Sequence, residues 1–397
     1  MNITVEYKNI QYVGSVKYLE HIIYLDNSAT TKPCKKACEY ISEALNENWG
    51  NPSSLHTIGI KAEMLVDKAR QVIAKKINAR EDEIIFTSGG TEANNTSILT
   101  ALARKNRGNR VITTAIEHPS VLETLKRLED SGFEVIKLGC DNSGKINLSE
   151  LEKALNEKTV LVSIMLVNNE VGAIEPISEA AKLIKKLSPN ALFHCDAVQG
   201  FGKMNINVKN LGVDLMSVSA HKVHGPKGIG FLYCKKGITI TPFITGGGQE
   251  RGMRSGTESV PLIAGFMGAV EELKNTESDL ANISEINAYA RNLFEKGGFI
   301  EINSPKDALP YILNISVPGY RSETMLHFRD SKGIFVSSGS ACAKGEPSYV
   351  LTALGFDKKR SDSALRLSFC KTTSKGDIDL TFAALNEAVK KLRRSNI

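Results

Sequence analysis

The segment EIIFTSGGTEANNT (83–96) has the pattern of an anion-binding turn. An apolar run ends shortly before Gly89 and Gly90, and Thr91 stands where a helix is predicted to begin. Glycines allow the chain to turn tightly, and the free amides of a helix N-terminus together with a hydroxyl group suit a phosphate. Such turns also occur for purely structural reasons, and this one matches neither a Walker loop nor the GxGxxG turn of dinucleotide-binding proteins.

Two apolar runs further along the chain lead to residues that can carry charge. The run LFHC (192–195) is followed by Asp196, at a strand end where a buried carboxylate needs a facing cation. The run LMSVS (215–219) is followed by His221 and Lys222. Taken alone, the aspartate fits a helix N-cap or a salt bridge equally well, and the lysine fits a surface charge.

Taken together, the glycine-rich turn, Asp196 and Lys222 match what pyridoxal phosphate requires. This cofactor needs an anchor for its phosphate, an acid that keeps its ring nitrogen protonated, and a lysine amine for a Schiff base. His118, in AIEHPS, begins a predicted helix beyond a strand and can stack on the ring. The combination predicts a pyridoxal phosphate enzyme.

The elements that would position these residues alternate in type along the chain. From about residue 26 to 248, short runs of β-forming residues alternate with amphipathic helical stretches, which predicts a parallel sheet covered by helices. Strands are predicted at 83–87, 110–113, 134–138, 160–166, 192–195, 215–219 and 229–233, and helices at 60–77, 92–103, 118–130, 148–156 and 177–187. Ligands of such sheets lie beyond the C-terminal strand ends, where Asp196 and Lys222 stand.

The chain is long enough for more than one domain. Its 397 residues suggest two or three units at about 150 residues each. After the glycine-rich stretch at 245–259, one long helix is predicted over 260–295, and a mixed α and β unit follows. We therefore expect a second domain, with its boundary inside this helix. A further short β-run is predicted at 22–25.

Composition excludes several classes of protein. Hydrophobic residues make up 42% and charged residues 24%, as in folded globular chains rather than disordered ones. The apolar run at 161–167 is far shorter than a membrane span, and the N-terminus lacks the pattern of an export signal. We expect no membrane partner. The basic run at 390–394 fits a solvated helix end, so no direct nucleic-acid binding is expected.

Cysteine usage points to a reducing compartment. The seven cysteines are odd in number and scattered, and none forms a CxxC pair. Free thiols in the cytoplasm are therefore expected, and no metal site. Cys34 and Cys38 could share one face of a helix but lack a neighbouring histidine.

The chain resembles the cysteine desulfurases of the NifS/IscS type, within the class V aminotransferases of fold type I. The matching motifs are YLDNSATT (24–31), NPSSLH (51–56), SGGTEANN (88–95), EHPS (117–120), VNNEVG (167–172), CDAVQ (195–199), SAHKVHGPKGIG (219–230), GGGQERGMRSGT (246–257), SSGSACA (337–343) and ALRLS (364–368). The resemblance implies a large cofactor domain over 31–275 with a mostly parallel seven-stranded sheet. Residues 1–30 and 276–397 would form a smaller α+β domain that carries a cysteine loop.

The resemblance also implies a role for each matching residue. Lys222 would bind the cofactor and act as general base, Asp196 would pair with the ring nitrogen, and His118 would stack on the ring and relay a proton. Gln199 would contact the phenolic oxygen. The phosphate would be held by Gly90, Thr91, Ser219 and His221, and by Thr257 of the partner subunit. The substrate carboxylate would be bound by Asn168 and Arg366.

Cys342, in SSGSACAKGEPS, distinguishes this activity from related ones. Alone, a cysteine among glycines and serines is most often inert. The resemblance implies that its thiolate takes sulfur from L-cysteine as a persulfide, leaves alanine, and passes the sulfur to an iron–sulfur scaffold or a tRNA-thiolation enzyme. It also implies a homodimer in the cytoplasm. The alternatives are a selenocysteine lyase, another class V aminotransferase or lyase, and a binding protein that has lost catalysis.

Two features depart from the family pattern. About 20 residues precede the first motif, and Ala343 and Lys344 follow Cys342 where many relatives carry Thr-Ser. The N-terminal residues fit an added strand on the small domain or a start placed too early, whereas the change after Cys342 leaves the predicted catalysis intact and bears on the choice of sulfur acceptor.

Overall fold

The structure, a computed structural model, describes residues 6–7, 10–11, 22–338 and 348–394. Its strands are β1 (Glu6–Tyr7), β2 (Ile10–Gln11), β3 (Ile23–Tyr24), β4 (Ile84–Thr87), β5 (Arg110–Thr114), β6 (Glu134–Leu138), β7 (Thr159–Ser163), β8 (Leu192–Asp196), β9 (Leu215–Ser219), β10 (Gly230–Cys234), β11 (Glu301–Ile302), β12 (Ile312–Ser316), β13 (Ile334–Phe335), β14 (Ser337–Ser338) and β15 (Ala364–Ser368).

The helices fall between these strands. They are α1 (Lys35–Glu47), α2 (Thr57–Lys76), α3 (Gly90–Leu99), α4 (Pro119–Asp130), α5 (Leu148–Ala154), α6 (Ile177–Leu187), α7 (Val208–Leu211), α8 (Val260–Glu271), α9 (Thr276–Gly297), α10 (Ser322–Asp330), α11 (Tyr349–Ala353), α12 (Lys358–Asp362) and α13 (Lys375–Lys391). Short 3-10 turns occur at Glu81–Glu83, Thr100–Arg104, Ala220–Lys222 and Glu250–Gly252.

The large sheet has the predicted, mostly parallel character. Its seven strands lie in the order β4-β10-β9-β8-β7-β5-β6, and β10 runs antiparallel to both of its neighbours. All residues of β7, β8 and β9 are buried, as expected of strands covered by helices on both faces. The chain is therefore an α/β protein, as predicted.

The strand predicted over 160–166 is shorter in the structure. β7 ends at Ser163, but the amides of Ile164 and Leu166 still donate to the carbonyls of His194 and Asp196. The chain thus stays extended beside β8 beyond the end of the regular strand.

The predicted single helix over 260–295 is wrong, because the chain forms two helices there. α8 ends at Glu271 and α9 begins at Thr276. Lys76 donates from Nζ to the carbonyl of Leu273 at 2.6 Å and to the hydroxyl of Thr276 at 2.9 Å. This side chain stabilises the break because it binds groups that a continuous helix would satisfy internally. The domain division at residue 275 falls at this break and stays a prediction.

A second sheet is formed by later residues. It has the antiparallel order β11-β12-β15-β14. The β-run predicted at 22–25 is confirmed as β3, which pairs in parallel with β13. Residues just before the first motif therefore join a late part of the chain. Among the described residues, no helix is long and apolar enough to cross a membrane.

Candidate active site

A cavity of about 330 Å³ lies where the C-terminal ends of β8 and β9 meet the N-termini of α3 and α4. Most residues predicted from the sequence line it. They are Gly90, Thr91, His118, Asp196, Gln199, Ser219, His221, Lys222 and Arg366. Asn168 and Thr257 are not among the lining residues, and Cys342 lies outside the described residues.

Asp196 is held at the end of β8 by two hydrogen bonds. Its carboxylate accepts one from Asn94 Nδ2 at 2.7 Å and one from the backbone amide of Val198 at 3.0 Å. Asn94 also donates to the hydroxyl of Ser120 at 2.8 Å. These bonds orient a carboxylate that is only 5% exposed. Asn94 belongs to a matched motif, but nothing in its spacing revealed this contact before α3 was placed against β8.

Lys222 ends the short turn that follows β9. Its Nζ donates to the backbone carbonyls of Ser28 at 2.6 Å and Ala29 at 2.8 Å. Gln199 Nε2 donates to the same Ser28 carbonyl at 3.0 Å. The first motif therefore contributes backbone acceptors that hold the lysine and the glutamine side by side.

His118 is the N-cap residue of α4, directly before Pro119. Its Nδ1 accepts a hydrogen bond from the backbone amide of Ser120 at 3.1 Å. Because an amide can only donate, the neutral ring carries its proton on Nε2. Burial lowers the pKa of His118, with Asp196 acting in the opposite direction and Lys222 lowering it further. This direction favours the neutral form of the ring.

The glycine-rich turn leaves space that side chains would fill. Gly89 has φ +150°, a conformation that other residues rarely adopt. A Cβ on Gly90 would lie 2.7 Å from Cγ2 of Val198, closer than the two atoms can approach. The turn therefore depends on both glycines to bring the start of α3 against the segment after β8.

His221 lies beside this turn and is neutral at physiological pH. Burial, followed by repulsion from Lys222, lowers the pKa of His221 to about 4. Its Nδ1 lies 3.2 Å from the hydroxyl of Thr30. A neutral imidazole can still donate one hydrogen bond to an anion.

The structure does not place Asn168 at the cavity. Its side chain is fully buried, donates to the carbonyl of Ile116 at 3.1 Å, and accepts from the amides of Glu170 and Val171. Asn169 lines the cavity instead, and its Oδ1 has no hydrogen-bond partner among the described residues. The two asparagines are adjacent in a turn, and no helical or strand periodicity there indicates which side chain faces the cavity.

Arg366 reaches the cavity from β15 in the second sheet. Its guanidinium donates to the carbonyl of Asn169 at 2.9 Å and to the carboxylate of Asp26 at 3.1 Å. Within the described ranges its Nε has no partner. A guanidinium with a free donor beside a cavity can bind a carboxylate.

Thr257 is exposed and lines a separate cavity of about 150 Å³. That cavity also includes Ser88 and Arg254. A single chain therefore does not bring Thr257 to the main cavity, and its contact with the cofactor of a partner subunit stays a prediction.

The described residues on either side of segment 339–347 are both fixed near the site. Ser337 lines the cavity and pairs with Arg366 between β14 and β15. On the other side, Ser348 donates to the carboxylate of Glu170, and Tyr349 donates to the carbonyl of Glu117 at 2.6 Å. Glu117 directly precedes His118.

The residues present fit pyridoxal phosphate. The cavity volume of about 330 Å³ falls within the range of about 300–1,000 Å³ typical of ligand sites. Three lining residues, Ser28, Asn94 and Asn169, each carry a buried oxygen without a partner in the described part of the chain. Polar groups left this way are available to bind a ligand or ordered water. An acid, an amine and a glycine-rich turn surround the same space.

The sequence matches the class-V aminotransferase family over residues 23–381, and the chain belongs to this family. It is 43% identical over 378 residues to the putative cysteine desulfurase IscS 1 of Bacillus subtilis strain 168. The aligned region covers 93% of this chain and 99% of that protein. It is 41% identical to the cysteine desulfurase IscS of Clostridium botulinum strain Hall, covering 94% and 95%.

Solved structures agree with this assignment. A NifS-like protein superimposes with a TM-score of 0.89 at 38% identity, covering 94% of this chain and all of that one. The structure named "SspA in complex with cysteine" has a TM-score of 0.78 at 33% identity and covers 89% of this chain and 100% of that one. Both share the fold described above.

Glu170 is a buried acid that the sequence analysis did not assign. It is 6% exposed and its backbone carbonyl accepts from Asn314 at 3.1 Å. Burial raises the pKa of Glu170 to about 7, although the Ser348 hydroxyl and Arg366 act in the opposite direction. Its carboxyl group thus titrates near neutral pH while it holds Ser348.

We expect Glu170 to make stability depend on pH. Its pKa is raised from 4.5 to about 7 in the folded protein, so its contribution is complete below 4.5 and is lost as the pH rises through 7. Between about pH 5 and pH 8, the free energy of unfolding in urea should fall by about 2–3 kcal/mol less in Glu170→Gln than in the wild type.

The decrease should become smaller rather than vanish, because Glu175, with a pKa also raised to about 7 by burial, remains in the variant. Glu152→Gln, at an exposed position, is the control. Equal pH slopes in wild type and Glu170→Gln would contradict the assignment.

Proposed function

We propose that the chain is a pyridoxal phosphate-dependent cysteine desulfurase. It converts L-cysteine to L-alanine and takes the sulfur onto Cys342 as a persulfide. The observation that carries this proposal is the convergence of Asp196, Lys222 and Arg366 on one cavity beside the glycine-rich turn. The relatives named cysteine desulfurase, at 43% and 41% identity over nearly the whole chain, support it.

Pyridoxal phosphate, when bound, supplies an electron sink for the pair released at the substrate Cα. Lys222 would hold it covalently, with Asp196 at the ring nitrogen and His118 against the ring. Gln199 is proposed to contact its phenolic oxygen. Its phosphate is proposed to be held by Gly90, Thr91, Ser219 and His221, and by Thr257 of the partner subunit.

Arg366 and Asn169 are proposed to bind the substrate carboxylate. The Arg366 guanidinium is already oriented by Asp26 and by the Asn169 carbonyl, at 3.1 and 2.9 Å. Preorganised donors of this kind bind a carboxylate in one defined orientation. The Cα–H bond of the substrate is then fixed relative to Lys222.

Proton movement is assigned to Lys222 and His118. The Lys222 amine accepts the Cα proton as general base, and the carbonyls of Ser28 and Ala29 fix its position by accepting its hydrogens. His118 is proposed to relay a proton to the carbon fragment that becomes alanine: its ring first takes up a proton as the imidazolium cation and then gives one to that carbon, so that it returns to the neutral form.

Cys342 performs the sulfur transfer. Its thiolate attacks the substrate sulfur, so that a new S–S bond forms while the Cβ–S bond breaks and its electron pair stays with carbon. Protonation of that carbon completes alanine, and the persulfide passes its outer sulfur to an acceptor thiol. Cys342 lies five residues beyond Ser337 (342 minus 337), a cavity residue, so an extended chain reaches at most about 17 Å from it.

Replacement of Cys342 tests the sulfur-transfer step. Wild-type protein with pyridoxal phosphate bound should release equal amounts of sulfide and alanine from L-cysteine in the presence of a thiol reductant. Cys342→Ala should lose nearly all of both products, because the nucleophile is missing. Cys38→Ala removes an exposed thiol on α1 and should behave as wild type.

Persistent alanine release by Cys342→Ala would favour the other class V reactions. A transaminase has no use for this thiol, and a selenocysteine lyase can act without it. Selenide release from selenocysteine is therefore measured separately in both proteins.

Adjacent asparagines provide a matched pair for the substrate site. Asn169→Ala should raise the KM for cysteine by about tenfold, as expected for the loss of a hydrogen bond to a charged group, with little change in the melting temperature. Asn168→Ala should instead lower the melting temperature, since it leaves the buried carbonyl of Ile116 and two buried amides unsatisfied. The reverse pattern would restore Asn168 as the substrate ligand.

A homodimer is proposed because large apolar side chains of α1, α2 and the segment between them are exposed. Leu45 is 58% exposed, Trp49 65%, Leu55 95% and Met64 66%. Such a cluster is costly in water and typical of a surface covered by another protein. A second copy of the chain is the proposed partner, which agrees with the predicted role of Thr257 across the subunit boundary.

Sedimentation equilibrium should give twice the chain mass of 43.3 kDa. Leu55→Asp should shift the distribution toward monomer, because a carboxylate would be buried at the contact. Leu380→Asp, at an exposed leucine of α13, is the control. A monomer for the wild type, or an unchanged dimer in Leu55→Asp, would contradict the proposed surface.

The proposed acceptor is a protein thiol, on an iron–sulfur scaffold or a tRNA-thiolation enzyme. The cytoplasm is the proposed location, because the thiolate of Cys342 must stay reduced between turnovers. The free state of the described cysteines is compatible with such a compartment.

A further inference from the structure

Lys203 is a buried cation directly behind the active-site cavity. It is 6% exposed, although lysine is rarely buried to this extent without a partner. Among the described residues no carboxylate forms an ion pair with it. Its Nζ instead donates to Oε1 of Gln199 at 2.8 Å.

This hydrogen bond determines which way the Gln199 amide points. A protonated lysine can only donate, so the amide must present its oxygen to Lys203. The NH2 group then faces the other way, where it donates to the Ser28 carbonyl at 3.0 Å. Lys222 donates to that same carbonyl at 2.6 Å.

The two lysines are therefore linked through Gln199 and one backbone carbonyl. We propose that Lys203 is a positioning residue that locks the Gln199 amide with its NH2 group toward the cavity, beside Lys222. The inference rests on the proposed function, in which the phenolic oxygen of pyridoxal phosphate lies against Gln199. A donor there stabilises negative charge on that oxygen, whereas a reversed amide would present its own oxygen and repel it.

Several titratable groups surround Lys203 and affect its charge, which fixes the orientation of the Gln199 amide. Lys203 also lines a small cavity of about 40 Å³, together with Lys222, Asp279, Tyr311 and Cys370. Burial, followed by Lys222 and Arg366, lowers the pKa of Lys203 to about 7, while Cys370 acts in the opposite direction. The ammonium form can only donate and excludes the reversed amide, whereas the neutral amine can also accept a hydrogen bond and no longer excludes it.

A double-mutant cycle on the holoenzyme tests this role spectroscopically. The readout is the pH at which the two visible absorbance bands of bound pyridoxal phosphate interchange, measured at saturating cofactor. Lys203→Met should move this midpoint upward by about one pH unit, because the phenolic oxygen loses a donor and the neighbouring Lys222 nitrogen keeps its proton longer. Gln199→Ala should produce a similar shift.

The double variant distinguishes positioning from a direct effect of charge. If Lys203 acts through Gln199, Lys203→Met should cause no further shift in the Gln199→Ala background. Additive shifts would mean that the Lys203 charge acts on Lys222 itself, and would overturn the proposal. An unshifted midpoint in Lys203→Met would overturn it too.

Two further variants keep the test decisive. Lys209→Met removes an exposed lysine of α7 and should leave the midpoint unchanged. If Lys203→Met does not fold, Lys203→Gln takes its place in the cycle, since a neutral amide no longer fixes the orientation of Gln199. A wild-type protein that takes up no pyridoxal phosphate would contradict the proposed function, whereas additive shifts in a cofactor-loaded protein contradict only the role of Lys203.

Discussion

The buried carboxylate of Asp196 is the constraint on which the arrangement of the site depends. A carboxylate that is 5% exposed is stable only if its oxygens are hydrogen-bonded or neutralised. Asn94 and the Val198 amide supply those bonds, and the glycines of the turn let α3 come close enough for Asn94 to reach. Burial raises the pKa of nearby Glu117 well above its usual range, and the negative charge of Asp196 acts in the same direction.

The first motif connects the two sheets at the cavity. Asn27 donates to the carbonyl of Ser368 at 2.8 Å, and the amide of Ser28 donates to the hydroxyl of the same serine. The carbonyl of Ser28 meanwhile holds Lys222 from the large sheet. One short segment thereby fixes the distance between the lysine and β15, the strand that carries Arg366. Shared backbone acceptors of this kind fix side chains through neutral hydrogen-bond partners.

The parts of the fold that the sequence predicted are those with a strong local signal. β6, β9 and α6 have the bounds that were expected, because apolar runs and amphipathic spacing follow directly from burial. The long helix over 260–295 failed because Lys76, which is distant in sequence, stabilises the break between α8 and α9.

Which residues line the cavity could be predicted where a residue ends or follows a strand, but not where tertiary contacts decide. Asp196 and Lys222 follow β8 and β9 closely, so the topology of the sheet brings them together. Asn169, Glu170 and Lys203 lie in turns, and their surroundings come from remote parts of the chain. A buried lysine or acid in a turn has the same local sequence as an exposed one, so only the assembled structure reveals it.

The pairing of Arg366 with Asp26 means that the guanidinium at the cavity already has an anion of the protein beside it. Before substrate arrives, the guanidinium is already neutralised by an internal carboxylate at 3.1 Å. A carboxylate that bound at Nε, which has no partner among the described residues, would add to this pair, and its attraction would be weaker than to a bare guanidinium because Asp26 already offsets the charge. In return the arginine is never an isolated buried charge, and the protein itself supplies the anion that holds its guanidinium in one orientation.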